Sequence, residues 1–244
     1  MVSVNFGVRS AEKECMDDLD FRGPALEESF RFIRLINLFG GGQRTLLNGL
    51  AHALRGRSRE GPVRILDVGC GLGDLGQAIV RWGRRTSRDL HYCGLERSAH
   101  ILAHARKHTV DERVSFQQGD LFDENLPAAD IILASMVLHH FEDTEIVRAI
   151  AHLRRRARQA LLINDLERAP IAYAIAWLLT RPLRNQASRT DALLSVRKGF
   201  TVEELRSLLA RAGVGAEAQV RRAIGWRLLA IVPGIATATL TKQP

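Results

Sequence analysis

The sequence predicts an α/β fold in which a mostly parallel sheet is wrapped by helices. Three observations carry this. From residue 63 onward, short apolar runs suited to buried strands alternate with amphipathic helical stretches. A glycine-rich turn, Gly69 to Gly73, joins the first such strand to the first such helix. The 244 residues, 46% hydrophobic and 25% charged, are enough to bury the core of one large globular domain.

In chain order, residues 1–20 read as irregular and mixed in charge. Leu26–Phe39 carries Phe30, Ile33, Leu35 and Ile36 and reads as a helix, broken by Gly40, Gly41 and Gly42. A second helix runs from about Gln43 to Leu54. The polar run Gly56-Arg57-Ser58-Arg59-Glu60-Gly61-Pro62 reads as a linker. It divides an N-terminal helical cap, residues 1–60, from a main domain, residues 61–244.

In that domain Val63–Val68 reads as a strand and Asp74–Trp82 as a helix. Leu90–Leu95 is a strand, and Ala99–His108 is a helix behind Ser98 as N-cap. Val114–Gln118 is a strand. Ile131–Ser135 is an uninterrupted apolar strand, as expected where both sheet faces are covered. Thr144–Arg156 follows as a helix and Ala160–Asn164 as a strand. Residues 166–200 break the alternation with one apolar helix, Ile171–Leu179, and then a polar loop. Thr201 caps a helix over Val202–Ala212, which Gly213 ends. Gly215–Arg221 and Gly225–Val232 are the last two strand-like runs.

The net charge of +8 comes mostly from arginines spread along the chain. The densest clusters, Arg81 to Arg88 and Arg154 to Arg158, lie at helix C-termini, where cations favour the helix dipole. This reads as a solvated surface. A nucleic-acid face would interleave aromatics with the basic residues, and only 6% of the chain is aromatic, so no nucleic-acid partner is expected. The three cysteines, Cys15, Cys70 and Cys93, form no CxxC pair and imply neither a disulfide framework nor a zinc site. With no basic start followed by an apolar run, and with Ile171–Leu179 far short of the roughly 20 residues of a membrane span, a cytoplasmic protein is expected.

Gly69, Gly71 and Gly73 follow the first strand and precede a helix whose N-terminus offers unpaired N–H groups. In open α/β sheets, ligands bind at the carboxyl ends of the strands. Gly71-x-Gly73-x-x-Gly76 also matches the dinucleotide fingerprint, so NAD is a competing reading. A pyrophosphate, however, would be repelled by Asp67 just before the glycines, whereas S-adenosylmethionine (SAM) carries an ammonium and a sulfonium and no phosphate. Glu96, at the end of the second strand, can take both hydroxyls of a ribose. Asp120, at the end of the third, can take an adenine amino group, with Leu121 or Phe122 against the ring.

At these residues the chain resembles the class I SAM-dependent methyltransferases. Leu66-Asp67-Val68-Gly69-Cys70-Gly71-Leu72-Gly73 is similar to their first motif, Glu96 to their ribose-binding acid, and Gly119-Asp120 to their adenine-binding acid. Ala129-Asp130-Ile131-Ile132-Leu133-Ala134-Ser135 with Leu138-His139-His140-Phe141 resembles their fourth-strand motif. The resemblance spans about residues 60–165. It implies a Rossmann-like seven-stranded, mostly parallel sheet with its last strand antiparallel, here with an N-terminal helical cap and a helical insertion after the fifth strand. It implies SAM as cofactor, held by Asp67, Gly69, Cys70, Gly71, Gly73, Glu96, Arg97, Asp120, Leu121 and Ser135. Arg44, after the triple glycine, is placed on the SAM carboxylate. Segments 38–44 and 195–201 resemble a narrower group, bacterial methyltransferases of polyketide-type and other phenolic metabolites. That implies a secondary-metabolite role and a small aromatic or lipophilic acceptor.

Methyl transfer requires the acceptor atom, the methyl carbon and the sulfur in line. A phenol or enol must also lose a proton, so a base helps. His139 and His140 follow the fourth strand at the cofactor end of the sheet and are the candidate bases, His139 foremost. Asp165, after the fifth strand, is a third candidate, touching the acceptor or its hydroxyl. Catechol-type enzymes carry an Asp-Asn pair near there as metal ligands. Their further aspartate after the fourth strand is replaced here by Ser135-Met136-Val137, so no metal is assigned. Tyr173, Trp177 and Leu178, together with Phe30, Ile33 and Arg34, are candidates to line the acceptor site. Arg189 and Arg197 are candidates to orient an anionic or carbonyl-bearing acceptor. The expected activity is O-methylation of an aromatic or polyketide-like hydroxyl. C-methylation of a quinone precursor or other lipophilic ring, and SAM binding without catalysis, are the alternatives. A homodimer is one option for assembly.

Overall fold

The computed structural model describes residues 4–18 and 20–236. Its centre is a seven-stranded sheet of β1 (Val63–Val68), β2 (Leu90–Glu96), β3 (Val114–Gln118), β4 (Ala129–Ser135), β5 (Ala157–Leu166), β6 (Gln219–Ala223) and β7 (Arg227–Pro233). The order across the sheet is β3-β2-β1-β4-β5-β7-β6. The pairings from β3 across to β5 are parallel. β7 runs antiparallel to both of its neighbours. This is the mostly parallel, seven-stranded arrangement that the motifs imply, with its last strand reversed.

The helices are α1 (Pro24–Phe39), α2 (Gly42–Ala53), α3 (Asp74–Arg85), α4 (Ala99–Lys107), α5 (Asp143–Arg156), α6 (Pro170–Leu179), α7 (Gln186–Lys198) and α8 (Val202–Arg211). Strand residues alternate between two cores, because successive side chains leave opposite faces of a sheet. Ile132, Ala134, Leu161 and Ile163 pack with Ile146 and Ile150 of α5 and Leu205 and Leu209 of α8. Ile131, Leu133 and Leu162 pack on the other face with Ile79 of α3 and Leu46 and Leu50 of α2. Both layers are apolar, which is why β4 and β5 read as continuous hydrophobic runs. α2 thus shares the sheet's core, on the C-terminal side of α1 and on the N-terminal side of the linker. No described helix is long and apolar enough to cross a membrane.

Two departures from the sequence reading matter for the site. The expected polar loop before residue 200 holds α7, capped by Asn185, whose side chain accepts from the Ala187 N–H. Its composition hides it: polar residues are buried among the apolar ones, Ser188, Asp191 and Lys198 included, so no apolar stripe marks the helix. The second is the N-terminal segment. Its described residues, 4–18, are irregular as expected, apart from a short 3-10 turn at Cys15–Asp17, but they are firmly docked. The Ser10 N–H donates to the Arg197 carbonyl. Arg9 donates to the carbonyls of His139, Phe141 and Lys198 and pairs with Asp143 at 2.7 Å.

Candidate functional site

Strand order reverses between β1 and β4, so the loops leaving their carboxyl ends diverge and open a crevice. A cavity of about 780 Å³ occupies it. Asp67, Gly69, Cys70, Gly71, Glu96, Arg97, Asp120, Leu121, Ser135, His139 and His140 all contribute to its wall. Two expected cofactor residues do not. Gly73 caps α3 with φ +67°, where a side chain would strike the Phe116 ring, so its place in the loop is a packing requirement. Arg44 points to solvent from α2.

The three acids are set differently by their surroundings. Asp67 is buried and accepts the Tyr92 hydroxyl at 2.6 Å on Oδ2. Its Oδ1 is buried with no partner. Burial pushes its carboxyl up to about 7, against the pull of the Tyr92 hydrogen bond. Glu96 takes the N–H of Gly71 at 3.1 Å and that of Ser98 at 2.9 Å, which ties β2 to the glycine loop. Asp120 takes the Phe122 N–H at 2.9 Å and sits 4.0 Å from Arg97.

Past β4 the chain turns through Met136, a non-glycine residue at φ +57°, whose N–H donates to the Asn164 carbonyl. This strained residue leads into a 3-10 turn, Leu138–His140. His139 is 1% exposed and its Nδ1–H donates to Asp165 Oδ1 at 2.6 Å. The His139 N–H also reaches Asp165 Oδ2, at 3.3 Å. Burial raises the Asp165 carboxyl, but the charge and hydrogen bond of His139 outweigh it and hold the group below the ordinary carboxylate range. An ionised carboxylate only accepts, so Nδ1 keeps its proton, and in the neutral ring the lone pair is on Nε2. Asp165 lies wholly buried behind the ring and does not line the cavity, so it holds His139 and does not touch an acceptor. His140, half-buried, donates from Nδ1 to Asp17 Oδ1 at 2.6 Å.

Glu14, Asp17 and Lys198 had no signal in the sequence, since they lie more than a hundred residues from the partners they meet or in a stretch read as loop. Glu14 Oε2 accepts the Ser195 hydroxyl at 3.0 Å. Its buried Oε1 faces His139 Nε2 at 3.8 Å and Lys198 Nζ at 3.6 Å, with no hydrogen bond to either. Burial raises the Glu14 carboxyl. Lys198 also pairs with Asp17 at 3.2 Å. Among the described residues, Glu14, His139 and His140 are the group whose ligand-type atoms come close enough together to hold a metal.

A second cavity, of about 180 Å³, lies between α1, α6 and α7. Its wall is mostly apolar: Phe32, Ile33, Ile36, Ala172, Ile175, Ala176 and Leu179. Glu14, Met16, Ile33, Asn37, Met136 and Ser195 belong to both cavities, so the two adjoin beside His139. Of the expected lining residues, Ile33 is here and Phe30 lines the larger cavity. Trp177 and Leu178 are exposed on the outer arc of α6, and Tyr173 packs edge-on against Phe6. Every position of α6 is apolar or small, so periodicity alone does not tell the inner arc from the outer. Arg34 pairs with Asp74, Arg197 with Glu12, and Arg189 holds the Leu183 carbonyl. None of these three lines either cavity.

Residues 65–160 match the family model described as a methyltransferase domain. Over 120 residues the chain is 32% identical to a ubiquinone biosynthesis O-methyltransferase of Xanthomonas axonopodis pv. citri, a match covering 46% of this chain and 47% of that protein. The chain thus spans about half the length of the curated relatives it matches. Human N-acetylserotonin methyltransferase, solved with SAM, superposes with a TM-score of 0.62 at 15% identity, over 91% of this chain and 63% of that one. An O-methyltransferase family 2 protein from Planctomyces limnophilus, solved with apigenin, gives 0.60 at 21% identity, over 88% and 63%.

The residues present fit SAM. Asp67, whose buried Oδ1 has no partner, lines the cavity, where its carboxyl suits a cationic ligand, and at Gly69 (φ +67°) the Val137 side chain lies where a Cβ would stand. Glu96 and Asp120 stand in the same wall as further acceptors.

Proposed function

From the premise that residues 65–160 form a methyltransferase domain of the class I SAM-dependent superfamily, we propose that this chain methylates the hydroxyl oxygen of a small aromatic or polyketide-like molecule in specialised metabolism. When bound, SAM supplies an electrophilic methyl group on its sulfonium. Asp67, Gly69, Gly71, Glu96 and Asp120 would hold it in the larger cavity. The adjoining apolar cavity takes the body of the acceptor, where burial favours a ring or alkyl surface.

The observation that carries the reading is His139 in the wall of the larger cavity, held from behind by the buried Asp165. Asp165 fixes the tautomer, so the Nε2 lone pair faces the site and can take the acceptor's hydroxyl proton. The resulting imidazolium is stabilised by Asp165 behind it and by Glu14, 3.8 Å from Nε2. α1, α6 and the N-terminal segment keep water away from the oxygen that is losing its proton. The relatives named as O-methyltransferases support oxygen as the methylated atom.

The test is calorimetric titration with SAM, followed by turnover on a panel of phenols read by mass spectrometry. Micromolar SAM binding with mass gain of one methyl per acceptor is expected. Tight SAM binding without transfer to any phenol would overturn the reading in favour of binding alone.

A further inference from the structure

Arg227 opens β7 and is 1% exposed, the bulkiest of the fully buried side chains. Its Nη2 donates to Asn37 Oδ1 at 3.1 Å. Its Nε and Nη1 are buried without a hydrogen-bond partner, and among the described residues it forms no ion pair. A buried guanidinium normally has every N–H engaged, because an unpaired buried donor carries its full desolvation cost. Arg227 lines the apolar cavity, beside Asn37, Met136 and Trp226.

Burial pulls its pKa down to about 10, with the charge of Asp165 acting the other way. The group therefore stays cationic at neutral pH. Asp165 favours the charge without satisfying it, because its oxygens are taken by the His139 ring and by the N–H groups of His139 and Leu166. Lys198, the other cation near this wall, is spent on Glu14 and Asp17. Among the described residues, Arg227 is thus the cation in this cavity's wall with N–H groups left uncommitted.

We infer that Arg227 binds a carboxylate on the acceptor, so that the substrate is an aromatic or polyketide-like hydroxy acid whose acid end is anchored by Arg227 while its hydroxyl reaches His139. The inference rests on the methyltransferase reading above, and it narrows the substrate class. Arginine suits the task because its planar N–H donors match carboxylate oxygens and it keeps its charge when buried. Asn37 orients the guanidinium through Nη2 and leaves Nε and Nη1 without a partner. Arg189 and Arg197, the arginines that sequence position favours for this role, are engaged elsewhere.

The test uses the full chain with SAH bound and hydroxybenzoate isomers paired with their methyl esters, which keep the ring and the hydroxyl and lose the charge. Binding is read by calorimetry, so that it stands apart from turnover. At least one acid is expected to bind about a hundredfold tighter than its ester, because the ester leaves buried donors unpaired. Arg227→Met should reduce that preference to within about threefold and leave SAM affinity unchanged, while Arg227→Lys should keep part of it. Esters binding as well as acids to the wild-type chain would overturn the inference even if Arg227→Met fails to fold. So would an acid preference that survives in Arg227→Met. Failure of the methyltransferase reading would appear separately, as no SAM binding or no transfer to either acid or ester.

Discussion

Asp165 grips His139 twice, through Nδ1 at 2.6 Å and through the backbone N–H at 3.3 Å. One carboxylate therefore sets both the ring's tautomer and the position of the turn that carries it. Asp165→Asn presents an amide that can offer the ring a donor and so permits the wrong tautomer. Turnover is expected to fall about a hundredfold or more, with SAM affinity held within about twofold. His139→Ala should fall at least as far. His140→Ala should lose less, because His140 is tied to Asp17 at the rim. Steady-state rates alongside SAM calorimetry check all three. Equal losses at His139 and His140 would remove the distinction between them.

The pair Asp67–Tyr92 governs a trade between stability and binding. Asp67 titrates near 7 in the folded chain, against 3.8 ordinarily. Between those values the folded state holds a proton that the unfolded state has lost, so stability falls as pH rises through this window and levels off above about 7. Asp67→Asn removes the buried charge and still accepts from Tyr92. The apo variant is expected to melt several degrees higher than wild type at pH 8, and the gap should close toward pH 5. Its SAM affinity should drop about tenfold or more, because a cationic ligand loses its counter-charge. Thermal melts at both pH values and calorimetry measure the two effects independently.

SAM binding to wild type should also strengthen between pH 6 and pH 8, as Asp67 ionises. Below its pKa, binding must displace a proton, costing up to about tenfold in affinity per pH unit. Proton release near pH 7, measured in buffers of different ionisation enthalpy, checks this. Asp67→Asn should show no such release from this site.

Chelation should leave turnover unchanged. Glu14, His139 and His140 lie close enough to share a cation, but the Lys198 ammonium already balances Glu14 and Asp17. Activity lost in EDTA and restored by a divalent metal would move proton removal from His139 to metal-assisted ionisation.

The wall of the larger cavity was legible because it is local. Gly69, Gly71, Glu96 and Asp120 sit at fixed steps past strands that announce themselves by apolar runs. The acceptor half was not, because it is assembled across the chain. Glu14 meets His139 across 125 positions, and α7 is a helix whose buried face carries Asp191 and Lys198 in place of an apolar stripe. Trp177 and Leu178 look like pocket residues by composition, yet Ala172, Ile175 and Ala176 on the other arc of the same helix line the cavity. Arg227 opens a strand-like run with nothing nearby to mark it as buried; it is buried because β7 lies between β5 and β6.

The position of the transferred methyl group tests the account most directly. Wild-type chain is incubated with SAM carrying a ¹³C-labelled methyl group and the phenolic acceptor it turns over best, and the product is read by carbon NMR. The account predicts the label on the hydroxyl oxygen, with its rate of appearance collapsing in His139→Ala. Label on a ring carbon, or undiminished transfer by His139→Ala, would contradict it.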